Sequence, residues 1–285
     1  MDNRELMVTI RCLAYNHEPY IRQCLDGFVM QKTNFRFEAI VHDDASTDGT
    51  ADIIREYAEK YPDIIKPIFE TENQYSKRDG SIRRIMDEHT HGKYVAMCEG
   101  DDYWIDPLKL QKQFDFMEQH NDCSLCFHAY EKLNNDGSRK IIKRYNSSLA
   151  CCPKMDIINK PGSIMATNSM FYRMKLLTDY PQWARTAPVG DAPLALVLTT
   201  RGNVSYINEV MGCYRSNSIG SWTSKMSSDF SKRKKHYYAI MKMWKSFDNW
   251  SDYKYHKIVV YNLSINKLRI IKLFIMKTIK AIVIK

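Results

Sequence analysis

Apolar residues follow two different periodicities along the first hundred residues. Residues 7–15 form an apolar run rich in β-branched side chains, and within residues 18–31 the apolar positions Ile21, Leu25 and Phe28 have helical spacing. This pattern predicts a strand that leads directly into a helix. The alternation continues, with strands predicted at 37–41, 64–69 and 94–98 and helices at 51–61 and 81–89.

Strands that alternate with helices of about ten residues are typical of right-handed βαβ units, so the sequence predicts an α/β fold with a mostly parallel sheet. After about residue 123 the pattern changes. Asn134–Gly137 is a turn signature between residues 123–133 and 139–143, which predicts a hairpin. Further strands are predicted over 163–173 and 205–214, with a helix that opens near Asp191.

Three polar clusters directly follow predicted strands. They are Tyr15 to Glu18, His42 to Gly49 and Glu99 to Trp104. Ligands of open α/β sheets bind at the carboxyl ends of the strands, so these clusters are expected to meet along one edge.

The third cluster contains the adjacent acids Asp101 and Asp102. Two neighbouring carboxylates are costly to bury unless a cation or a donor-rich ligand compensates them. Mg²⁺ or Mn²⁺ would do so, since these ions take one or two carboxylates and complete their shell with water and phosphate oxygens. The alternative is an exposed acidic turn that caps the following helix through Asp106.

Two further acids, Asp44 and Asp191, could each have a functional role or belong to the start of a helix. Asp44 follows the second strand and could accept the imide N–H of a uracil-like base, while Ser46, Thr47 or Asp48 beside it could simply cap the next helix. Asp191 opens a predicted helix, where the macrodipole favours its ionised form, and it could be no more than a helix-start acid. The residues alone leave both alternatives open.

Charge separates the chain into two parts. Residues 225–285 hold 15 basic and 3 acidic residues, while the first 224 residues hold 27 basic and 30 acidic ones. Lys267 to Lys285 alternates apolar residues with cations, which predicts an amphipathic helix suited to an anionic membrane interface. The alternative is a helical appendage that packs on the body or on a second subunit.

Composition narrows the class of protein. With 44% hydrophobic residues the chain can bury a large core, which excludes a disordered protein. No basic segment followed by an apolar one opens the sequence and no long uncharged apolar stretch follows, so neither a signal peptide nor a spanning helix is expected. The eight cysteines are irregularly spaced and are expected to be reduced thiols rather than zinc ligands.

Five motifs occur in an order that resembles the family 2 glycosyltransferases with a GT-A fold, in particular the bacterial cell-surface and capsular polysaccharide branch. They are VTIRCLAYN, IVHDDASTDGT, EGDDYW, GDAPL and the late Tyr214-Arg215 pair followed by Gly220-Ser221-Trp222. The resemblance covers residues 5–224. It implies a catalytic domain over 1–224, with a nucleotide-binding half at about 1–120 and an acceptor-binding half at about 121–224, and a basic helical region over 225–285.

The resemblance also implies roles for individual residues. Asp102 would bind Mn²⁺ or Mg²⁺, and Asp191 would be the catalytic base of an inverting transfer. The nucleotide-sugar would be held by Ala14, Tyr15, Asn16, Glu18, Asp44 and Asp101. Where many GT-A enzymes place a histidine metal ligand after a Tyr-Arg pair, this chain has Ser216-Asn217, so the resemblance leaves Asp102 as the one protein ligand.

The implied reaction moves a sugar from a nucleotide-sugar donor, a UDP-sugar by resemblance, to a glycan or polyprenyl-linked acceptor. The enzyme would be cytoplasmic and attached peripherally to the inner face of the membrane through its C-terminal helices, and it could form a homo-oligomer. A nucleic-acid-binding protein that uses the basic tail is one alternative, against which the acidic clusters argue because they repel phosphates. A sugar nucleotidyltransferase is the other, but the sequence has no glycine-rich phosphate loop.

Overall fold

A computed structural model describes residues 4–216, 218 and 229–283. The nine strands are β1 (Leu6–Ala14), β2 (Arg36–Asp43), β3 (Ile65–Phe69), β4 (Tyr94–Met97), β5 (Tyr103–Trp104), β6 (Cys123–Leu133), β7 (Arg139–Ile142), β8 (Phe171–Arg173) and β9 (Asn203–Arg215). The helices are α1 (Glu18–Val29), α2 (Thr50–Lys60), α3 (Gln74–Lys77), α4 (Ser81–Glu88), α5 (Lys109–Gln119), α6 (Lys154–Asn159), α7 (Gln182–Arg185), α8 (Asp191–Arg201), α9 (Phe230–Trp250) and α10 (His256–Val283).

The strands form one sheet in the order β3-β2-β1-β4-β8-β6-β9-β5, with β7 paired to β6. The first four strands in this order are parallel, as the alternating pattern predicts. Beyond β4 the sheet is mixed, because β8 runs antiparallel to both β4 and β6 while β6 and β9 are parallel. The α/β prediction is therefore confirmed, with a parallel half and a mixed half.

The hairpin prediction is also confirmed, since β6 and β7 pair antiparallel around the predicted turn. The strand predicted over 163–173 is wrong for most of its length. Only Phe171–Arg173 is extended, and Thr167–Ser169 forms a 3₁₀ turn. Ile164 and Met165 are buried there outside any strand, and Met170 contacts β4 only at its end, where its carbonyl oxygen accepts from the N–H of Met97 at 3.1 Å. The apolar run alone therefore misled the prediction.

The C-terminal helices pack on the body. On α9, Trp244 and Phe247 are buried in one cluster with Ile158 of α6 and Leu196 of α8. The predicted helical appendage is thus present, and it is anchored to the part of the molecule that contains α6 and α8. Within the described residues, no helix has the length and apolar character needed to cross a membrane.

Candidate active site

Two acidic loops meet at the carboxyl end of β1. The backbone N–H of Asp44 donates to the carbonyl oxygen of Ala14 at 2.9 Å, and the N–H of Gly100 donates to that of Leu13, also at 2.9 Å. The loops after β2 and β4 therefore flank the same strand end. A side chain at Gly100 would have its Cβ 2.8 Å from His17 Nδ1, so only glycine lets the second loop lie this close to α1.

The loop after β4 carries three acids that differ in burial. Glu99 is exposed, Asp101 is half-buried, and Asp102 is only 1% exposed. Desolvation of its carboxyl raises the pKa of Glu99 to about 8, and the charges of Asp101 and Asp191 add to this effect. Asp101 and Asp191, which come from two distant segments, therefore both lie near Glu99, and we call the space between these segments the cleft.

Asp102 joins the acidic loop to the end of β9. Its Oδ1 accepts a hydrogen bond from the backbone N–H of Arg215 at 2.8 Å, while its Oδ2 is buried and has no hydrogen-bond partner within the described chain. Burial, and then the charge of Asp101, raise the pKa of this carboxyl well above its usual range. A group in this state is either protonated or compensated by a cation.

Arg215 fastens the same loop from the other side. Its Nη1 donates to the carbonyl oxygen of Asp101 at 2.6 Å, and its guanidinium lies 4.6 Å from the ring centre of Tyr103. Ser218 Oγ donates to Asp101 Oδ2 at 2.5 Å. The end of β9 therefore holds Asp101 at the border of the cleft.

Asp191 lies at the first position of α8 and is half-buried. Its Oδ1 accepts a hydrogen bond from the N–H of Ala192 at 2.8 Å. Burial raises its pKa above the ordinary 3.8, against the opposing effect of that hydrogen bond. A raised pKa brings a carboxylate closer to the range in which a general base works efficiently.

Tyr75 connects the two sides of the cleft. It is 46% exposed, and its pKa is raised first by burial, while Arg78 lowers it and the charges of Glu99 and Asp191 raise it further. Its backbone N–H donates to Asp44 Oδ2 at 3.1 Å. Tyr75 thus links the loop after β2 to the acids at the centre of the site.

Asp44 is buried and fully engaged by α3. Its Oδ1 accepts from the N–H of Gln74 at 2.6 Å, in addition to the bond from Tyr75. The neighbouring Asp43 has one buried oxygen, Oδ1, without a partner in the described residues. The structure therefore places Asp44 at the expected strand end, and its role in binding a base stays a prediction.

The other predicted nucleotide contacts hold the first two loops together. Asn16 Oδ1 accepts from the N–H of Thr47 at 2.8 Å, and Glu18 Oε2 accepts from the N–H of Gly49 at 2.9 Å. Asn16 has a positive φ of 56°, which is uncommon for a non-glycine residue and is often found at functional sites. Ala14 is buried and Tyr15 half-buried at the same strand end.

The donor set suits a hard divalent ion with few protein ligands. Over residues 4–216, 218 and 229–283, no three His, Cys, Asp or Glu side chains are arranged to bind a metal together. Mg²⁺ and Mn²⁺ need only one or two carboxylates when diphosphate and water complete their shell. The unpartnered Oδ2 of Asp102 and the cleft-bordering Asp101 provide such oxygens.

Three observations were out of reach of the sequence. Tyr75 lies on the four-residue helix α3, which has no periodicity to detect. Arg215 belongs to the recognised Tyr-Arg pair, but nothing in the sequence shows that it bonds to Asp101 and Asp102. Glu99 belongs to a recognised polar cluster, but nothing in its spacing distinguishes it from Asp101. The late motif residues Asn217, Gly220, Ser221 and Trp222 lie outside the described residues.

Comparison with known families identifies this arrangement. The family model "Glycosyl transferase family 2" matches residues 12–180, more than half of the chain. The chain belongs to glycosyl transferase family 2. The match includes both acidic loops but ends before Asp191, so the assignment of the base gains no direct support from it.

The curated relatives of this family 2 chain include uncharacterized proteins and proteins named as glycosyltransferases. The uncharacterized protein Rv1520 of Mycobacterium tuberculosis is 34% identical over 226 residues, which are 76% of this chain and 61% of the relative. The putative teichuronic acid biosynthesis glycosyltransferase TuaG of Bacillus subtilis is 33% identical over 138 residues, 48% of this chain and 52% of TuaG. The chain thus spans about six tenths of the length of the first of these relatives.

Solved structures show the same fold. S. aureus TarS 1-349 in complex with UDP-GlcNAc superposes with a TM-score of 0.65 at 18% identity, covering 86% of this chain and 67% of that one. The mannosyltransferase PcManGT from Pyrobaculum calidifontis, in complex with GDP-Man and Mn²⁺, gives 0.60 at 15% identity, covering 93% and 74%. The predicted GT-A architecture is therefore confirmed for this family 2 chain.

Proposed function

We propose that this protein is an inverting glycosyltransferase that transfers a sugar from a UDP-sugar to a hydroxyl of a glycan or lipid-linked acceptor. The carrying observation is that the loop after β4 and the start of α8, two segments distant in sequence, bring Asp101 and Asp191 close enough to Glu99 for both charges to raise its pKa. Acids on two sides of a cleft can act on the two partners of the reaction separately. The acids on one side would bind the metal and donor diphosphate, and the acid on the other side would accept the proton of the acceptor alcohol.

Asp191 is the proposed general base. At the start of α8 it lies across the cleft from the loop after β4, and its raised pKa favours proton acceptance. The acceptor hydroxyl loses its proton to the carboxylate as its oxygen attacks the anomeric carbon, and the bond to the diphosphate oxygen breaks. One displacement of this kind inverts the anomeric centre, and base assistance contributes ~10²–10⁴-fold.

The donor half of the site is proposed on the opposite side. Asp44 and the strand-end residues Ala14, Tyr15, Asn16 and Glu18 surround the nucleoside, and Asp101 contacts the ribose or sugar hydroxyls. Asp102, with its unpartnered Oδ2, would hold Mn²⁺ or Mg²⁺. When bound, the ion supplies neutralisation of the charge that develops on the leaving diphosphate.

The acceptor class is inferred from relatives. WfaP of Escherichia coli, named a UDP-Glc:alpha-D-GlcNAc-diphosphoundecaprenol beta-1,3-glucosyltransferase, is 33% identical over 112 residues, 39% of this chain and 41% of WfaP. TuaG is named for teichuronic acid biosynthesis. We therefore place the protein in surface or capsular polysaccharide synthesis, with a catalytic domain over 1–224 and a basic region over 225–285 that attaches it to the inner face of the membrane.

A thermal-shift screen tests the proposal. UDP, GDP and their sugars are compared with and without Mn²⁺, since a ligand at 100 times its Kd stabilises the folded form by about 2.7 kcal/mol. We expect UDP-sugars to raise the melting temperature only with metal, and mass spectrometry to detect sugar transfer to a lipid-diphosphate glycan. Stabilisation by duplex DNA alone, or pyrophosphate release from a sugar phosphate and a nucleoside triphosphate, would contradict it.

A further inference from the structure

A basic groove separates the two C-terminal helices. Its volume is about 370 Å³, and one side is open to solvent. We call it the α9–α10 groove, and its lining residues are Arg233, Tyr237, Arg269, Lys272, Leu273 and Met276. Leu273 is buried and forms an apolar floor, while Arg269 and Lys272 are exposed at the rim.

The cations of this groove are not neutralised by the protein. Arg233, Arg269 and Lys272 take part in no ion pair among the described residues, and α10 contains no acidic residue at all. Asp248 is the one acid on α9 and pairs with His256 near the far end of that helix, while Asp229, the N-cap directly before the helix, lies 4.0 Å from Lys232 Nζ. Three cations around one concave surface therefore favour an anion with several acceptor oxygens.

An apolar ridge runs beside the groove. Leu268, Ile271 and Ile275 on α10 are 64%, 54% and 54% exposed. Each precedes a groove residue by one position, so the ridge is rotated by about 100° around the helix from the groove. A helix with cations on one side and exposed aliphatic residues beside them is suited to the boundary between lipid headgroups and acyl chains.

We propose that the α9–α10 groove binds the phosphate of an anionic membrane lipid, with the ridge inserted among the acyl chains. Charge complementarity selects the phosphate, and the adjoining ridge selects a phosphate that is carried by a lipid rather than a soluble one. The inference rests on the proposed function in one respect: lipid binding at the groove would orient the protein toward the lipid-linked acceptor that this function requires.

The groove lies close to the C-terminal end of α3, one of the elements beside the cleft. His236 on α9 is half-buried, and after burial the cations Arg78 and Arg269 are the groups that lower its pKa, which places both near it. Arg78 in turn lies 5.9 Å from the ring centre of Tyr75, which faces the cleft acids. A lipid held in the groove would bring this side of the cleft to the membrane surface.

Vesicle co-sedimentation of the full chain tests the groove. The variant Arg269→Gln/Lys272→Gln removes two exposed cations from it, and Lys254→Gln/Lys257→Gln is the matched control. The control also removes two exposed cations from the same region: Lys257 is about 18 Å from Arg269 along α10, and Lys254 lies in the turn just before that helix. Vesicles of phosphatidylcholine are compared with vesicles in which about a third of the lipid is phosphatidylglycerol.

We expect the groove variant to bind anionic vesicles about 30-fold more weakly than the wild type, and the control less than about threefold more weakly. Equal losses in both variants, or no loss in either, would overturn the groove as a phosphate site. Release of the wild type from vesicles by inorganic phosphate, beyond that by chloride of equal ionic strength, would point to a soluble phosphate instead and overturn the lipid assignment.

The outcome is separable from the proposed function. The groove variant changes no cleft residue, so its stabilisation by a UDP-sugar and Mn²⁺ is expected to equal that of the wild type. If neither protein binds a UDP-sugar, the proposed function fails while the vesicle result stands. If both bind the donor and the vesicle result is negative, the groove proposal fails alone.

Discussion

The acidic cleft and the α9–α10 groove both gather like charges, but they hold them differently. In the cleft, Asp102 is buried and Asp191 half-buried, and burial raises the pKa of both carboxyls. In the groove, Arg269 and Lys272 stand exposed at the rim of an open surface. The first region holds carboxyls away from water, which disfavours their charged form, and the second leaves its charges in water.

This difference separates two uses of charge. Desolvation changes the proton affinity of an acid, which is what a reaction needs from a base. Exposed cations keep their ordinary chemistry and attract an anionic surface over about a Debye length. The cleft is therefore expected to respond to substitution and pH, and the groove to ionic strength.

The largest effect is expected from Asp191→Asn. The amide keeps the size of the side chain but cannot accept the acceptor's proton, so kcat should fall by ~10²–10⁴ with donor binding retained. Initial rates with a UDP-sugar and a lipid-linked acceptor measure it. The matched control is Asp52→Asn, which removes an acid from the first turn of α2, where the side chain is 83% exposed. Full activity in Asp191→Asn would remove this residue from its role.

Ionic strength should weaken binding at the groove more than binding in the cleft. Raising the salt from about 0.05 M to about 0.5 M shortens the Debye length several-fold, so binding to anionic vesicles should weaken by at least about tenfold. Binding of UDP and Mn²⁺ in the cleft should change less, because the proposed metal ligand Asp102 is buried and buried charges are screened less by salt. Calorimetry and co-sedimentation on one preparation compare them, and equal salt sensitivity would erase the distinction.

The sequence predicted the parts of this molecule that repeat a pattern. Strands β1 to β4 and helices α1, α2 and α4 follow from alternating periodicities, and the polar clusters follow from parallel strands that end at one edge. The helical tail followed from its spacing of cations and apolar residues. These features depend on local residue order, which one sequence contains in full.

The parts that escaped prediction depend on contacts between distant residues. No pattern shows that the N–H of Arg215 bonds to Asp102, or that α3 uses two backbone N–H groups to hold Asp44. The stretch before Phe171 is apolar because it is buried, and burial alone does not distinguish a strand from a turn. Site residues could be proposed individually, while their mutual arrangement needed the fold.

The pH dependence of the reaction sharpens the assignment of the base. Asp191 acts only when ionised, so kcat/KM should fall as the pH decreases through its pKa, and the midpoint should lie above the ordinary 3.8. The loss should stay smaller than that in Asp191→Asn, because a fraction of the carboxylate remains ionised. Rates measured from neutral to acidic pH with Mn²⁺ show this limb. It should be missing from the residual activity of Asp191→Asn, and its persistence there would assign it to another group.

The smallest effect is expected for Asp102→Asn on the free energy of unfolding. This variant removes the charge of a buried carboxyl while it keeps the size of the side chain. The amide oxygen can still accept from the N–H of Arg215, and a neutral group is cheaper to bury, so the free energy of unfolding should change by less than about 1 kcal/mol. Asp102→Ala leaves that N–H unpaired and should cost about 1–3 kcal/mol. Urea unfolding of both variants measures these changes. If Asp102→Asn keeps its stability but is no longer stabilised by UDP and metal, the charge of Asp102 serves ligand binding rather than folding.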